Sequence, residues 1–172
     1  MRKILTLVII ATLTLGYSSL NAQNYKFGHI NSQELLNAMP DKDSAEAKIK
    51  KYAESLQEQI EQLQVEFNKK YQDYLQKRST FTDAIREMKE KELSDMQQRA
   101  QEYQQVAEQD YQRFQAETMK PVIDKADAAI KKVAKENGFT YIFDTSSGVL
   151  LYFSDKSIDI TPLVKKELGI TE

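Results

Sequence analysis

From residue 41 to residue 120 the chain runs for eighty residues without a glycine or a proline. All five glycines and all three prolines lie outside that stretch. These are the strongest helix interrupters, so a stretch without them has few outcomes. It is one very long helix, or two helices lying antiparallel.

Its apolar residues repeat at helical spacing. Ala45, Ile49, Tyr52, Leu56, Ile60, Leu63, Phe67, Tyr71 and Tyr74 follow one another at steps of three and four. The steps repeat every eleven residues, which is about 3.67 per turn and predicts a nearly straight helix or a slight right-handed supercoil. A second series follows through Phe81, Ile85, Met88, Leu93, Met96, Ala100, Tyr103, Ala107, Tyr111 and Phe114. Between the two series stands the sequence STFTD at 79–83. Ser, Thr and Asp start helices, so Thr82 or Asp83 is expected to cap a second arm. A hairpin then has two arms of about 55 Å, whereas one uninterrupted helix would reach about 110 Å. Glu46/Lys50, Glu66/Lys70, Asp73/Lys77, Glu87/Lys91 and Asp95/Arg99 set acid four residues before base, the favourable order on a helix.

The flanks predict a small body. Residues 25–31 read as a strand, with Phe27 and His29 on one face and Gly28 and Ile30 on the other. Gly28 within it suggests close approach of another backbone. Ser32 is expected to cap a short helix that Pro40 ends, and Asp43 with Glu46 has capping-box spacing. Pro121 should kink or restart the helix. A further helix then runs through Val122, Ala126, Ala129, Ile130 and Val133 to a stop at Asn137-Gly138. Residues 139–144 and 149–153 read as two strands joined as a hairpin, and 155–159 as a loop. Thr161 and Pro162 open a last helix that buries Leu163, Val164 and Leu168. The expected fold class is α+β, mostly α: a long antiparallel helical hairpin projecting from a small β-containing body. The hairpin arm is residues 41–117, and the body is 23–40 with 118–172.

Residues 1–22 are a separate object. Arg2 and Lys3 precede an apolar run over 4–15, and Leu20-Asn21-Ala22 leads to Gln23. That is the pattern of a cleavable signal peptide cut near Ala22-Gln23. The run is short for a bilayer span, which needs roughly 20 residues; an uncleaved anchor is the alternative. Removing Arg2 and Lys3 takes the net charge from −2 to −4. A mildly acidic chain has no global field for nucleic acid.

Catalytic chemistry is hard to find. There is no cysteine, and His29 is the one histidine. His29, Asp144, Ser146 and Ser147 could be drawn as a hydrolase triad, but the chain lacks a nucleophile elbow and a Gly-rich oxyanion loop. Glu54, Glu58 and Glu61 share a helix face without a histidine beside them and read as a solvated surface. No catalytic residue, metal site or cofactor is expected. Two features point to binding instead. A three-stranded sheet has two open edges. Its strands carry Phe27, Ile30, Tyr141, Phe143, Leu150, Leu151, Tyr152 and Phe153, which suits oligomerisation through the body. The aromatics of the arms exceed what a thin two-helix seam can cover.

The order of parts resembles the Skp/OmpH family of periplasmic chaperones. The resemblance rests on FGHIN at 27–31, on KPVIDKADAAIKKVAKENGFTYIFD at 120–144 and on SDKSIDITPLVKKELGI at 154–170. It implies a homotrimer in the periplasm whose three hairpins enclose a cavity. The cavity would hold unfolded outer-membrane β-barrel proteins, without ATP, with transient contact at a membrane surface. Client contacts are then expected at Tyr52, Phe67, Tyr71, Tyr74, Phe81, Met88, Met96, Tyr103, Tyr111 and Phe114. A coiled-coil adaptor or spacer of the cell envelope, docking through Phe81, Ile85 and Met88 at the tip, is the competing reading. Well-known members of that family are strongly basic, and this chain is not. A weakly basic tip survives at 76–89, with four bases against two acids, but 92–117 holds six acids and two bases. No lipopolysaccharide site is therefore carried over.

Overall fold

Two strands that pair in parallel cannot be joined by a tight turn; the chain must cross from the end of one to the start of the other. Here the crossover is nearly the whole protein. The computed structural model describes residues 25–170, so the expected leader lies outside the described residues. Strand β1 is Phe27–Ile30 and strand β2 is Tyr141–Asp144, paired in parallel with Phe27 opposite Tyr141 and Ile30 opposite Asp144. Between them come helix α1 (Ser32–Asn37), helix α2 (Pro40–Lys77), a 3-10 turn (Arg78–Thr80) and helix α3 (Asp83–Glu136). Strand β3 (Ile158–Asp159) pairs in parallel with the other side of β1, giving the order β2-β1-β3. Helix α4 (Thr161–Glu167) closes the chain.

The hairpin is realised. Helix α2 has 38 residues, about 57 Å at the usual rise. The reversal falls where the Ser/Thr/Asp cluster predicts it. Thr82 is the N-cap of α3, its hydroxyl accepting from the Ile85 N–H at 3.4 Å. Cross-arm contacts run in step from root to tip. Lys125 meets Asp41 at 2.7 Å, Phe114 stacks on Tyr52 with ring centroids 4.2 Å apart, and the Tyr103 hydroxyl donates to Gln59 at 3.0 Å. Lys70 then meets Glu92, and Tyr74 donates to Glu90. Steps outward of 11, 7, 11 and 4 residues on α2 are answered by steps back of 11, 11, 11 and 2 on α3, so the arms keep in step to within about one helical turn along the seam.

Several local readings are corrected. Pro40 begins α2 rather than ending α1, which already stops at Ala38. At a first helical position the missing N–H costs nothing. The Asp43/Glu46 capping box does not form, because both residues already lie inside α2, whose N-cap is Met39. Glu46 instead pairs with Lys42 at 2.9 Å. The cap of α1 is Asn31, whose side chain accepts from the Glu34 N–H, because the Ser32 hydroxyl donates to Asp144 at 2.6 Å. Pro121 does not restart a helix: α3 runs unbroken for 54 residues with the proline inside it. Packing on both sides of it, at Phe114 and at Val122, outweighs one lost hydrogen bond. The start of α4 is held by Asp159, whose carboxylate accepts from the Thr161 N–H at 2.8 Å and hydroxyl at 2.6 Å. Leu163 is exposed there, while Val164 is fully buried.

The largest correction concerns residues 149–153. They form no strand and no hairpin with β2. The free side of β1 is taken by β3, in residues read from sequence as a loop. Ile160 follows β3 at 0 % exposure, with its N–H donating to the His29 carbonyl at 3.0 Å. Anchoring Ile160 and Val164 in the core fixes which residues lie beside β1, and 149–153 are left outside.

The core lies where the sheet meets the root of the hairpin. Ile30, Leu35, Met39, Ala45, Ile160 and Val164 close on the α3 stripe Val122, Ala126, Ala129 and Val133. Gly28 is buried because the inner face of β1 has no room. A Cβ there would sit 2.8 Å from the Ile142 side chain, 2.9 Å from Phe139 and 3.1 Å from the Ile158 carbonyl. Gly28→Ala should therefore destabilise the fold by about 1–3 kcal/mol, through overpacking between the strands. Urea unfolding followed by circular dichroism measures it; an unchanged midpoint would show that Ile142 and Phe139 yield freely.

Candidate interaction surfaces

Period-two alternation gives the sheet a wet face and a dry one. Gly28, Ile30 and Ile142 turn inward. Phe27, His29, Tyr141 and Phe143 turn outward, where Phe27, Tyr141 and Phe143 stay 41–60 % exposed. Their rings already touch. Phe27 stacks on Tyr141 with centroids 6.1 Å apart and lies 6.3 Å from both Phe143 and Tyr25. Beside them the His29 ring lies 4.2 Å from that of Phe153, and its Nδ1 is 2.9 Å from the Ser157 hydroxyl. The adjoining loop adds Val149, Leu151 and Tyr152 at 78–95 % exposure. Of the eight residues expected at an assembly surface, Phe27, Tyr141, Phe143, Leu151, Tyr152 and Phe153 are thus exposed; the first three share the sheet face, and Phe153 meets it at His29. Ile30 is not, at 2 % exposure in the chain's own core, and Leu150 is half-buried. Tyr25 belongs to the same surface, as the alternation of a strand over 25–31 implies, although it stands outside the eight.

The ten residues expected on the arms divide differently. Tyr74 and Met96 are buried in the seam, at 7 and 6 % exposure. Tyr52 and Phe114 stack on each other across it, and Tyr103 bonds across it. Phe67 and Tyr111 are half-buried at its margins, and Phe81 lies 6.3 Å from Tyr74 at the tip. Tyr71 and Met88 alone of the ten are exposed, at 41 and 58 %. The structure also exposes Val65, Leu75, Ile85 and Val106. Val65, Leu75 and Val106 stand off the three-four stripe, which is the one sequence signal that they are not seam residues.

Near the tip the seam is closed by charge. Glu92 receives hydrogen bonds from Lys70 on the other arm and from Lys89 at 2.9 Å on its own. Those bonds pull its carboxyl down to about 2. Tyr74 donates to Glu90, and that bond pushes the phenol above its ordinary value.

At the root of the body Asp144 ties β2 to α1. It accepts from the Ser32 hydroxyl at 2.6 Å, and from the N–H and hydroxyl of Ser146 at 2.9 Å each. Burial disfavours its charge, but those bonds outweigh burial and hold the carboxyl below its ordinary value. His29 bonds to Ser157 instead, so the residues of the drawn triad are not brought together as one. Among the described residues no three His, Cys, Asp or Glu side chains converge as a metal set. Nor is any helix among them long and apolar enough to cross a membrane.

The chain is thus mostly helical, with a long hairpin rooted in a small three-stranded sheet whose outer face is aromatic and exposed. The model of the OmpH-like outer membrane protein family matches residues 26–168, and the chain belongs to that family. The fold is similar to the crystal structure of a proposed outer membrane chaperone, OmpH-like, from Caulobacter crescentus. The TM-score is 0.73 at 13 % identity, over 84 % of this chain and 83 % of that one. At that identity the likeness concerns the fold alone. No curated protein matches the sequence.

Glu92→Gln should cost the hairpin about 1 kcal/mol or less at neutral pH, since the pair is partly exposed. The folded carboxyl titrates at about 2, below the ordinary 4.5, so the stabilisation is full above about pH 4.5 and is lost as pH falls through about 2. Urea midpoints of the two proteins should therefore converge on acidification. A constant gap between them would assign the loss to packing instead of charge.

Proposed function

We propose that this chain is an ATP-independent holdase chaperone of the periplasm. In this reading three copies assemble through the body, residues 23–40 and 118–172. Their hairpins, residues 41–117, bound a cavity for unfolded outer-membrane β-barrel proteins. Residues 1–22 act as the export signal.

Family membership carries the reading, and the exposed aromatic sheet face supports the assembly part. Water-facing Phe27, Tyr141, Phe143 and Leu151 form an apolar surface of the kind that marks interaction sites. A small body with few buried residues also gains most from association. A holdase needs no nucleotide: binding the unfolded chain lowers its free concentration, and aggregation slows by mass action. The mild negative charge implies that capture depends on neutral contact more than on long-range attraction.

The test is dilution of a urea-unfolded outer-membrane barrel protein with and without the exported chain. Light scattering should show aggregation suppressed at excess chaperone, with suppression retained at high salt. Mass after chromatography should equal three chains. Unchanged aggregation sinks the holdase, and a monomeric mass at micromolar concentration sinks the trimer. Tyr141→Asp should lower the mass to one chain while leaving the helical signal intact, because a carboxylate in a closed apolar interface must be desolvated.

A further inference from the structure

The two sides of the hairpin seam are chemically unlike. A helix turns about 100° per residue, so residues flanking the seam can be followed along each arm. On one side α2 presents Ala53, Gln57, Ile60, Gln64, Asn68, Tyr71 and Leu75, none of them charged. The matching side of α3 presents Gln97, Ala100, Gln104, Tyr111 and Gln115, with Glu108 as its one charged residue. The opposite side carries Glu66, Lys70 and Asp73 on α2, facing Glu92, Asp95 and Arg99 on α3. Cross-arm geometry agrees. Six charged residues, among them Lys70 and Glu92, line one cleft around Tyr74, Phe81 and Leu93. Leu56, Ile60, Gln104, Ala107 and Tyr111 line another, of about 230 Å³, in which Glu108 is the one charged residue. The small Ala53 and Ala107 side chains open that second groove between the arms.

We infer that the uncharged flank is the client-contact surface of the arm, and that its occupant is an extended, uncharged segment of unfolded polypeptide. The inference rests on the chaperone reading and names the part of the arm that performs it. An unfolded segment brings two demands. Its apolar side chains need apolar cover, which the groove and the exposed Tyr71 and Leu75 provide. Its backbone N–H and C=O groups need partners, and each glutamine amide offers both a donor and an acceptor. Neither demand requires an ion to lose water. On the other flank Met88, Gln98 and Leu93 stand among carboxylates, ammonium groups and a guanidinium, so a client there must also cover ions, and desolvating a charge by a neutral partner is unfavourable. Neutral client against neutral flank is the match of charge that the two sides offer.

Charge placed on either flank tests this. Gln64 and Gln104 lie on the uncharged side; Gln62 and Gln109, both exposed, lie toward the other. The double variants Q64E/Q104E and Q64K/Q104K are compared with Q62E/Q109E and Q62K/Q109K. Binding of a fluorescent, urea-unfolded outer-membrane barrel protein is titrated, with helicity and mass checked for each variant. Both signs on the uncharged flank should weaken binding about tenfold, since the loss comes from desolvation and not from attraction. The control pairs should change it by less than about twofold, as exposed charges do. Equal effects on the two flanks, or none, overturn the inference. So does opposite behaviour of Glu and Lys, which would mean capture by charge. An altered mass for the Gln64/Gln104 variants would mean that arms of neighbouring copies meet there, and would overturn it too. If the unaltered protein binds no client, the chaperone reading fails and takes this one with it. If it binds and the flank is insensitive, this one fails alone.

Discussion

One stripe on one helix holds both halves of this molecule. Met96 and Ala107 of α3 are buried against α2 in the arm, and Val122, Ala126, Ala129 and Val133 of the same helix fill the body core. Because α3 does not break at Pro121, the arm is a continuation of a core element and not an appendage on a linker. The direction of the hairpin is therefore set by core packing. Close-packed interiors resist deformation, so a helix clamped in the core carries that stiffness outward. The root is reinforced where α2 enters, by Met39 and Ala45 in the core and by the Asp41–Lys125 pair outside it.

The sheet depends on the same arrangement. Parallel pairing of β1 and β2 is possible because the whole hairpin lies between them as a crossover. Dry residues Gly28, Ile30 and Ile142 face α1 and α3, which leaves the aromatic residues no direction but outward. Two edges and one aromatic face are thus exposed by the topology itself. Three short strands with so little cover make a marginal unit alone, and the proposed assembly would cover that face.

Much of this was legible in sequence, and the failures share a cause. Periodicity found the seam, because every seam residue answers to the same local rule of spacing. Thr82 was legible as a cap for the same reason. Pro40 was misplaced by one element: a proline marks a boundary, but where two helices abut it does not say which of them it belongs to. Residues 149–153 were read as a strand from apolar content, yet a strand also needs a free edge. Which segment wins the edge of β1 is decided by Ile160 and Val164 reaching the core, a long-range fact with no local signature. Two-residue β3 is too short to display a period at all. On the arms, spacing identified the aromatic face but not the partner waiting across it. Tyr52 meets Phe114 and Tyr74 meets Glu90 only once the register is set.

That last point changes where affinity for another chain can reside. A seam that interleaves alanines with aromatics can take most of its rings inward, and here Tyr52, Tyr74 and Phe114 are spent on joining the arms. What remains outward is not a stripe of aromatic anchors but scattered apolar residues among amides on one side and ions on the other. Hot-spot binding draws on a few large buried rings at the centre of a patch. A surface of amides and isolated apolar side chains has no such centre, so contacts on it are weak singly and interchangeable. Weak interchangeable contacts summed along a rigid arm suit partners without a fixed shape. In the proposed chaperone they would also allow release by gradual detachment, as a bound chain finds better partners in its own fold.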